Sequence, residues 1–119
     1  MRTLNPPKAG LAWFSISYRL ATNVSNFEVA IDNVQSAIRF VKAHAAEYNV
    51  DPDKIALIGE SAGGQLAAMT ALRGGDGNLV KAVVALYSPT DLVALAKSSD
   101  YIPAQFATRF EEHLGRDCY

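Results

Sequence analysis

An α/β fold, with a parallel sheet carrying helices on its faces, is predicted by three observations on this sequence. Apolar runs of strand length alternate with helical stretches in the order strand, helix, strand, helix, strand, helix. Apolar residues recur at three- and four-residue steps from Phe27 to Tyr48. A short apolar run, Ile55 to Ile58, breaks into Gly59-Glu60-Ser61-Ala62-Gly63-Gly64 and then opens a small-residue helix. At 119 residues the chain makes one domain or less, 1–119, long enough for a core but marginal for a large α/β architecture.

Taken in order, residues 1 to 10 carry Pro6, Pro7 and Gly10 and read as an irregular lead-in. Leu11 to Leu20 reads as a strand, because Trp13, Phe14, Ile16 and Tyr18 are interleaved with serines. Ala21 to Ser25 is a loop. Ser25 followed by Glu28 has the form of a capping box, which would start the long helix whose stripe is Phe27, Ile31, Val34, Ile38, Val41, Ala45 and Tyr48. Asn49 to Asp53 ends that helix, since Pro52 cannot continue it. Lys54 to Ile58 then reads as a buried strand, and Gln65 to about Arg73 as a helix packed on a sheet. The run Gly74-Gly75-Asp76-Gly77-Asn78 stops the helix and turns the chain. Leu79 to Tyr87 is a further apolar strand, followed by helical stretches at about Asp91 to Lys97 and Pro103 to Leu114.

Composition removes several classes of function. Eleven Lys and Arg against twelve Asp and Glu give a net charge of −1 with no basic run, so nucleic acid and anionic membranes find no electrostatic footing. No apolar segment reaches membrane-spanning length, and no signal-peptide order opens the chain, which leaves the cytoplasm as the default compartment. A single cysteine, Cys118, provides neither a disulfide framework nor a thiolate metal site. The 74–78 turn has too few alternating carboxylates for calcium. No metal and no cofactor is expected, because phosphate-cradling glycine spacings are also missing.

Chemistry concentrates at Ser61. A serine hydroxyl is a poor nucleophile until it is exposed, set near a base and faced by donors for the oxyanion formed on attack. A strand turning sharply into a helix supplies exposure and donors together: the G-x-S-x-G spacing suits the tight bend, and side chains at Gly59 or Gly63 are expected to collide. The helix that follows aims its N-terminal N–H groups at the site, with Ala62 giving one oxyanion donor. The competing reading is a glycine turn in an ordinary βα unit. His44 lies beside the long helix's apolar stripe, where a packed or solvated histidine is the simpler reading.

The succession Tyr18-Arg19-Leu20-Ala21, a long helix, Asp51-Pro52-Asp53-Lys54-Ile55 and Gly59-Glu60-Ser61-Ala62-Gly63-Gly64-Gln65-Leu66-Ala67 resembles the α/β-hydrolase superfamily. Within it, the chain is most similar to carboxylesterases and lipases of the hormone-sensitive-lipase-like and acetyl-esterase groups, over about Gly10 to Leu92. The resemblance implies a partial α/β-hydrolase fold, a three-layer α-β-α sandwich, with Ser61 as nucleophile and Ala62 as an oxyanion donor. Glu60 falls where the family takes Asp or Glu and could serve as a local hydrogen-bond anchor. Tyr18 and Arg19 match a strand-end motif with a structural role.

The chain also departs from that pattern. A His-Gly-Gly type loop is expected before the first strand and none precedes Gly10; the family's acid and histidine come after two further strands. In the family's sheet, the strands ending at Leu20 and Ile58 are separated by one from earlier in the chain, so here a gap, or direct pairing of the two, is expected. These departures suggest a fragment or a truncated relative. Asp91 and His113 keep the serine–acid–histidine order and are the candidate acid and base; Asp91 can equally be a helix N-cap, and His113 a core residue beside Phe106 and Phe110. Three functions remain: a hydrolase of small-molecule carboxylic esters, a catalytically silent remnant that binds or oligomerises through an exposed sheet edge, and a peptidase on the same bend.

Overall fold

A computed structural model of the chain describes residues 2–4, 10–20, 27–73, 79–92 and 94–95. Its elements are β1 (Arg2–Leu4), β2 (Trp13–Ser15), α1 (Phe27–Ala43), β3 (Ala56–Glu60), α2 (Ala62–Leu72) and β4 (Ala82–Leu86). β3 and β4 form a parallel pair in the register Ala56↔Ala82 to Glu60↔Leu86, and β1 and β2 form a separate antiparallel pair. The architecture is a partial α/β-hydrolase fold built on the parallel β3–β4 sheet and its helices.

α1 forms where the apolar stripe says it should. Ile31, Val34, Ile38 and Val41 are buried along one face, and Ala45 continues the stripe into the turns that follow. Burying that face is what stabilises such a helix, since propensity alone seldom does. The helix ends at Ala43, earlier than the expected Asn49, and turns carry the chain on to Asn49, which takes φ 52, a conformation that asparagine tolerates better than other non-glycine residues. Asp51 then sets the lead into β3: its carboxylate accepts the Asp53 N–H at 2.9 Å and meets the Lys54 ammonium at 3.2 Å. First the Asp53 N–H and then Lys54 hold this carboxyl below its ordinary value.

α2 packs on β3 and β4 and also meets α1. Leu66 from α2 joins Ala30, Ile31, Val34 and Ile38 from α1 in the core, with Ile16, Tyr18, Ile55, Leu57 and Met69 against it. Glu28 near the start of α1 pairs with Arg73 at the end of α2.

The structure corrects several expectations. The segment before Gly10 is not wholly irregular, because Arg2–Leu4 is a strand. Only Trp13–Ser15 of the expected strand from Leu11 to Leu20 is extended and paired, and it pairs with β1 rather than joining the parallel sheet. A short antiparallel partner nearby in sequence is reached without a crossover, which a parallel partner would require. β2 and β3 lie in separate sheets, so the direct pairing foreseen as one outcome of the missing strand is not seen among the described residues. Nor is β3 buried on both faces. Leu57, Gly59 and Val83 face the helices, while Ile58, Val84 and Leu86 on the opposite face are exposed.

Both central strands are shorter than read, at Ala56–Glu60 and Ala82–Leu86. Ser25 of the expected capping box, the 74–78 turn and the helix expected from Pro103 lie outside the described residues. No helix among the described residues is long and apolar enough to cross a membrane.

Candidate active site

β3 runs straight to Glu60 and α2 begins at Ala62, so Ser61 alone makes the change of direction. Its backbone takes φ 52 and ψ −123, which a side chain disfavours and which costs about 1–3 kcal/mol where it occurs. Three hydrogen bonds hold it there. The Ser61 N–H donates to the Leu86 carbonyl at 2.9 Å, and the Ser61 carbonyl accepts from Gly64 at 3.0 Å and Gln65 at 3.2 Å.

The serine is exposed, and its side chain makes no capping bond to the helix it precedes. Serine in that position ordinarily turns its oxygen onto the helix's first N–H groups; here the strained backbone leaves the hydroxyl uncommitted to that role. Ala62 is the first residue of α2, so its N–H has no carbonyl one helical turn behind it inside the helix. An exposed hydroxyl, an adjacent N–H and the positive end of a helix dipole thus share one corner of the molecule.

The glycines divide differently from expectation. A Cβ on Gly59 would lie 2.2 Å from the Gly63 carbonyl oxygen, an impossible approach. A Cβ on Gly63, by contrast, would meet nothing nearer than the Tyr18 hydroxyl at 4.0 Å, so the collision expected there is absent. The second crowded position is Gly64, whose Cβ would stand 3.0 Å from the Gly59 carbonyl oxygen and 3.1 Å from Ser88 Cβ. Helical phase explains the shift, because α2 starts one residue after the serine and turns Gly64 onto the strand end.

Tyr18 packs against the core near the start of α2, and the Arg19 N–H donates to Asn33 Oδ1 at 3.0 Å, tying the chain after β2 to α1. The Asp91 carboxylate accepts the Ala94 N–H at 2.8 Å, a cap on its own short turn. His113 and Cys118 lie outside the described residues. His44 stacks on Phe40 with ring centroids 4.1 Å apart, and its Nδ1 lies 2.8 Å from the Phe40 carbonyl, so it is packed locally.

Sequence reasoning passed over Tyr87. This residue follows β4 with φ 39 and is 72% exposed. Its phenol is held above the ordinary tyrosine value, first by hydrogen bonding toward Glu60, then by desolvation and the Glu60 charge. A signal existed in the chain: aligning the two five-residue strands in parallel sets Leu86 beside Glu60 and Tyr87 just beyond.

The BD-FAE family matches residues 3–117, and the chain belongs to that family. Over 70 residues it is 43% identical to a probable carboxylic ester hydrolase, LipM, of Mycobacterium tuberculosis, covering 57% of this chain and 16% of that protein. It is 42% identical over 57 residues to the carboxylesterase NlhH of the same organism, covering 48% of this chain and 18% of the relative. An arylesterase of Saccharolobus solfataricus is 42% identical over 65 residues, covering 55% of this chain and 21% of the relative. The matched stretch is thus a small part of each of these proteins.

Proposed function

We propose that the chain carries the nucleophile segment of a carboxylic-ester hydrolase, with Ser61 as the attacking residue. The observation that carries this reading is the exposed serine at φ 52 and ψ −123, wedged between β3 and α2 with its hydroxyl left out of the helix cap. The names of the relatives, each an ester hydrolase, support the substrate class.

In the reaction, Ser61 Oγ gives its proton to a base and bonds to the ester carbonyl carbon. The carbonyl oxygen becomes an oxyanion facing the Ala62 N–H and the N-terminal end of α2. Collapse breaks the bond to the alcohol, which leaves with a proton, and an acyl group remains on Ser61. Water then attacks the acyl carbon, the acid departs and the serine recovers its proton. Glu60, Gly59, Gly63 and Gly64 shape the bend. Asp91 and His113 stand in the order of acid and base for the same sequence of steps.

A fluorophosphonate probe tests the nucleophile: the intact natural protein is expected to be labelled, and the Ser61→Ala variant not. Equal labelling of both, or of neither, overturns the assignment. An unchanged labelling rate in His113→Ala removes Asp91 and His113 from the mechanism.

A further inference from the structure

Among the described residues, the packing of the fold gives no reason for glycine at position 63. Gly63 lies inside α2 with an ordinary negative φ, so the backbone there suits any residue. Nor is the space taken: the nearest described atom to a Cβ on Gly63 is the Tyr18 hydroxyl at 4.0 Å, an ordinary contact distance. The other glycines of the bend differ, since a Cβ on Gly59 or Gly64 would come within 2.2 Å or 3.0 Å of backbone oxygen. Alanine in a helix is also favoured over glycine by about 1 kcal/mol. The chain thus forgoes stability at a position where its described packing gains nothing in return.

The place of the residue supplies a reason. Gly63 stands two residues beyond Ser61, in the first turn of α2. Side chains on a helix tilt toward its N-terminus, so a methyl on Gly63 would lean toward the end of α2 that Ser61 occupies, beside the Tyr18 phenol. Tyr18 is a fixed wall: it packs against the core, and the next N–H, of Arg19, donates to Asn33 Oδ1 at 3.0 Å. A bare stretch of helix, a held phenol and an exposed serine therefore meet at the start of α2.

We propose that Gly63 is a specificity-determining position: the gap between its Cα and the Tyr18 hydroxyl receives a substituent of the ester, carried on the acyl or the alcohol side of the reacting carbonyl. A side chain there would restrict which esters reach the serine. The inference rests on the reading of Ser61 as nucleophile. It deepens that reading by giving the second glycine of G-x-S-x-G a part in substrate choice rather than in the bend.

The test uses the intact natural protein, with kcat/KM measured on two series and thermal unfolding recorded for every variant. Acetyl and octanoyl esters of p-nitrophenol probe the acyl side; methyl and hexyl acetates probe the alcohol side. In Gly63→Ala the longer ester of one series should lose roughly tenfold more than its shorter partner, the scale on which a single carbon matters in a pocket. The unfolding temperature should be unchanged or raised. Adding Tyr18→Phe to Gly63→Ala frees the room of one oxygen beside the new methyl and should return part of that loss. Equal losses on all four esters, no loss on any, or a lowered unfolding temperature in Gly63→Ala overturns the inference, the last because the position would then serve packing. Fluorophosphonate labelling separates the two readings: a labelled protein with unaltered size preference sinks this inference alone, and an unlabelled one sinks Ser61 as nucleophile and this inference with it.

Discussion

A Cβ built on Gly59 would lie 2.2 Å from the Gly63 carbonyl oxygen, so alanine there must push β3 away from α2. The Gly59→Ala protein should lose at least about 2 kcal/mol in urea unfolding, the cost of overfilling a tight contact between rigid elements. Gly63→Ala meets open space and gains helix propensity, so its stability should stay within about 1 kcal/mol of wild type. The pair separates what the motif alone could not. Gly59 and the bend at Ser61 were legible because a strand-to-helix bend is local, and its spacing shows in consecutive residues, although α2 begins at Ala62 rather than at the expected Gln65. The exchange of roles between Gly63 and Gly64 was not, since it depends on helical phase. Tyr87 escaped for a further reason: nothing in residue type announces a positive φ on a tyrosine.

Among the elements, α1 and α2 show which contacts carry the fold. Ile31 is 2% exposed at the centre of the core, and Ile31→Ala should cost about 2–5 kcal/mol. Thr70 on α2 is fully buried and its hydroxyl has no partner among the described residues, so Thr70→Val should stabilise the chain by about 1 kcal/mol. Chemical denaturation of both variants reads the two opposite signs directly. The exposed Glu28–Arg73 pair joins the same helices but belongs to a class worth less than about 1 kcal/mol. α1 was legible in outline because the Ile31, Val34, Ile38, Val41 repeat extends over several turns, long enough for its period to stand out. β1 was not, because Arg2–Leu4 is three residues long and offers no period at all.

At the scale of the molecule, the described residues cover the parallel sheet on one side only. Leu57 and Val83 face the helices, while Ile58 is 52% and Val84 44% exposed on the other side. Leu57→Thr should therefore destabilise the chain by about 1–3 kcal/mol, the penalty for putting a hydroxyl into packed apolar surroundings. Ile58→Thr and Val84→Thr should change stability by less than about 0.5 kcal/mol, and thermal unfolding of the three variants gives the comparison. One-sided cover could not be read from Ile55 to Ile58, because an uninterrupted apolar run looks the same whether one face or both are packed. The bend at Ser61 takes its described backbone supports from Leu86 on the adjoining strand and from the first turn of α2. Substitutions at Ile58 and Val84, on the side of the sheet turned away from both helices, should thus leave the backbone of the bend as it is.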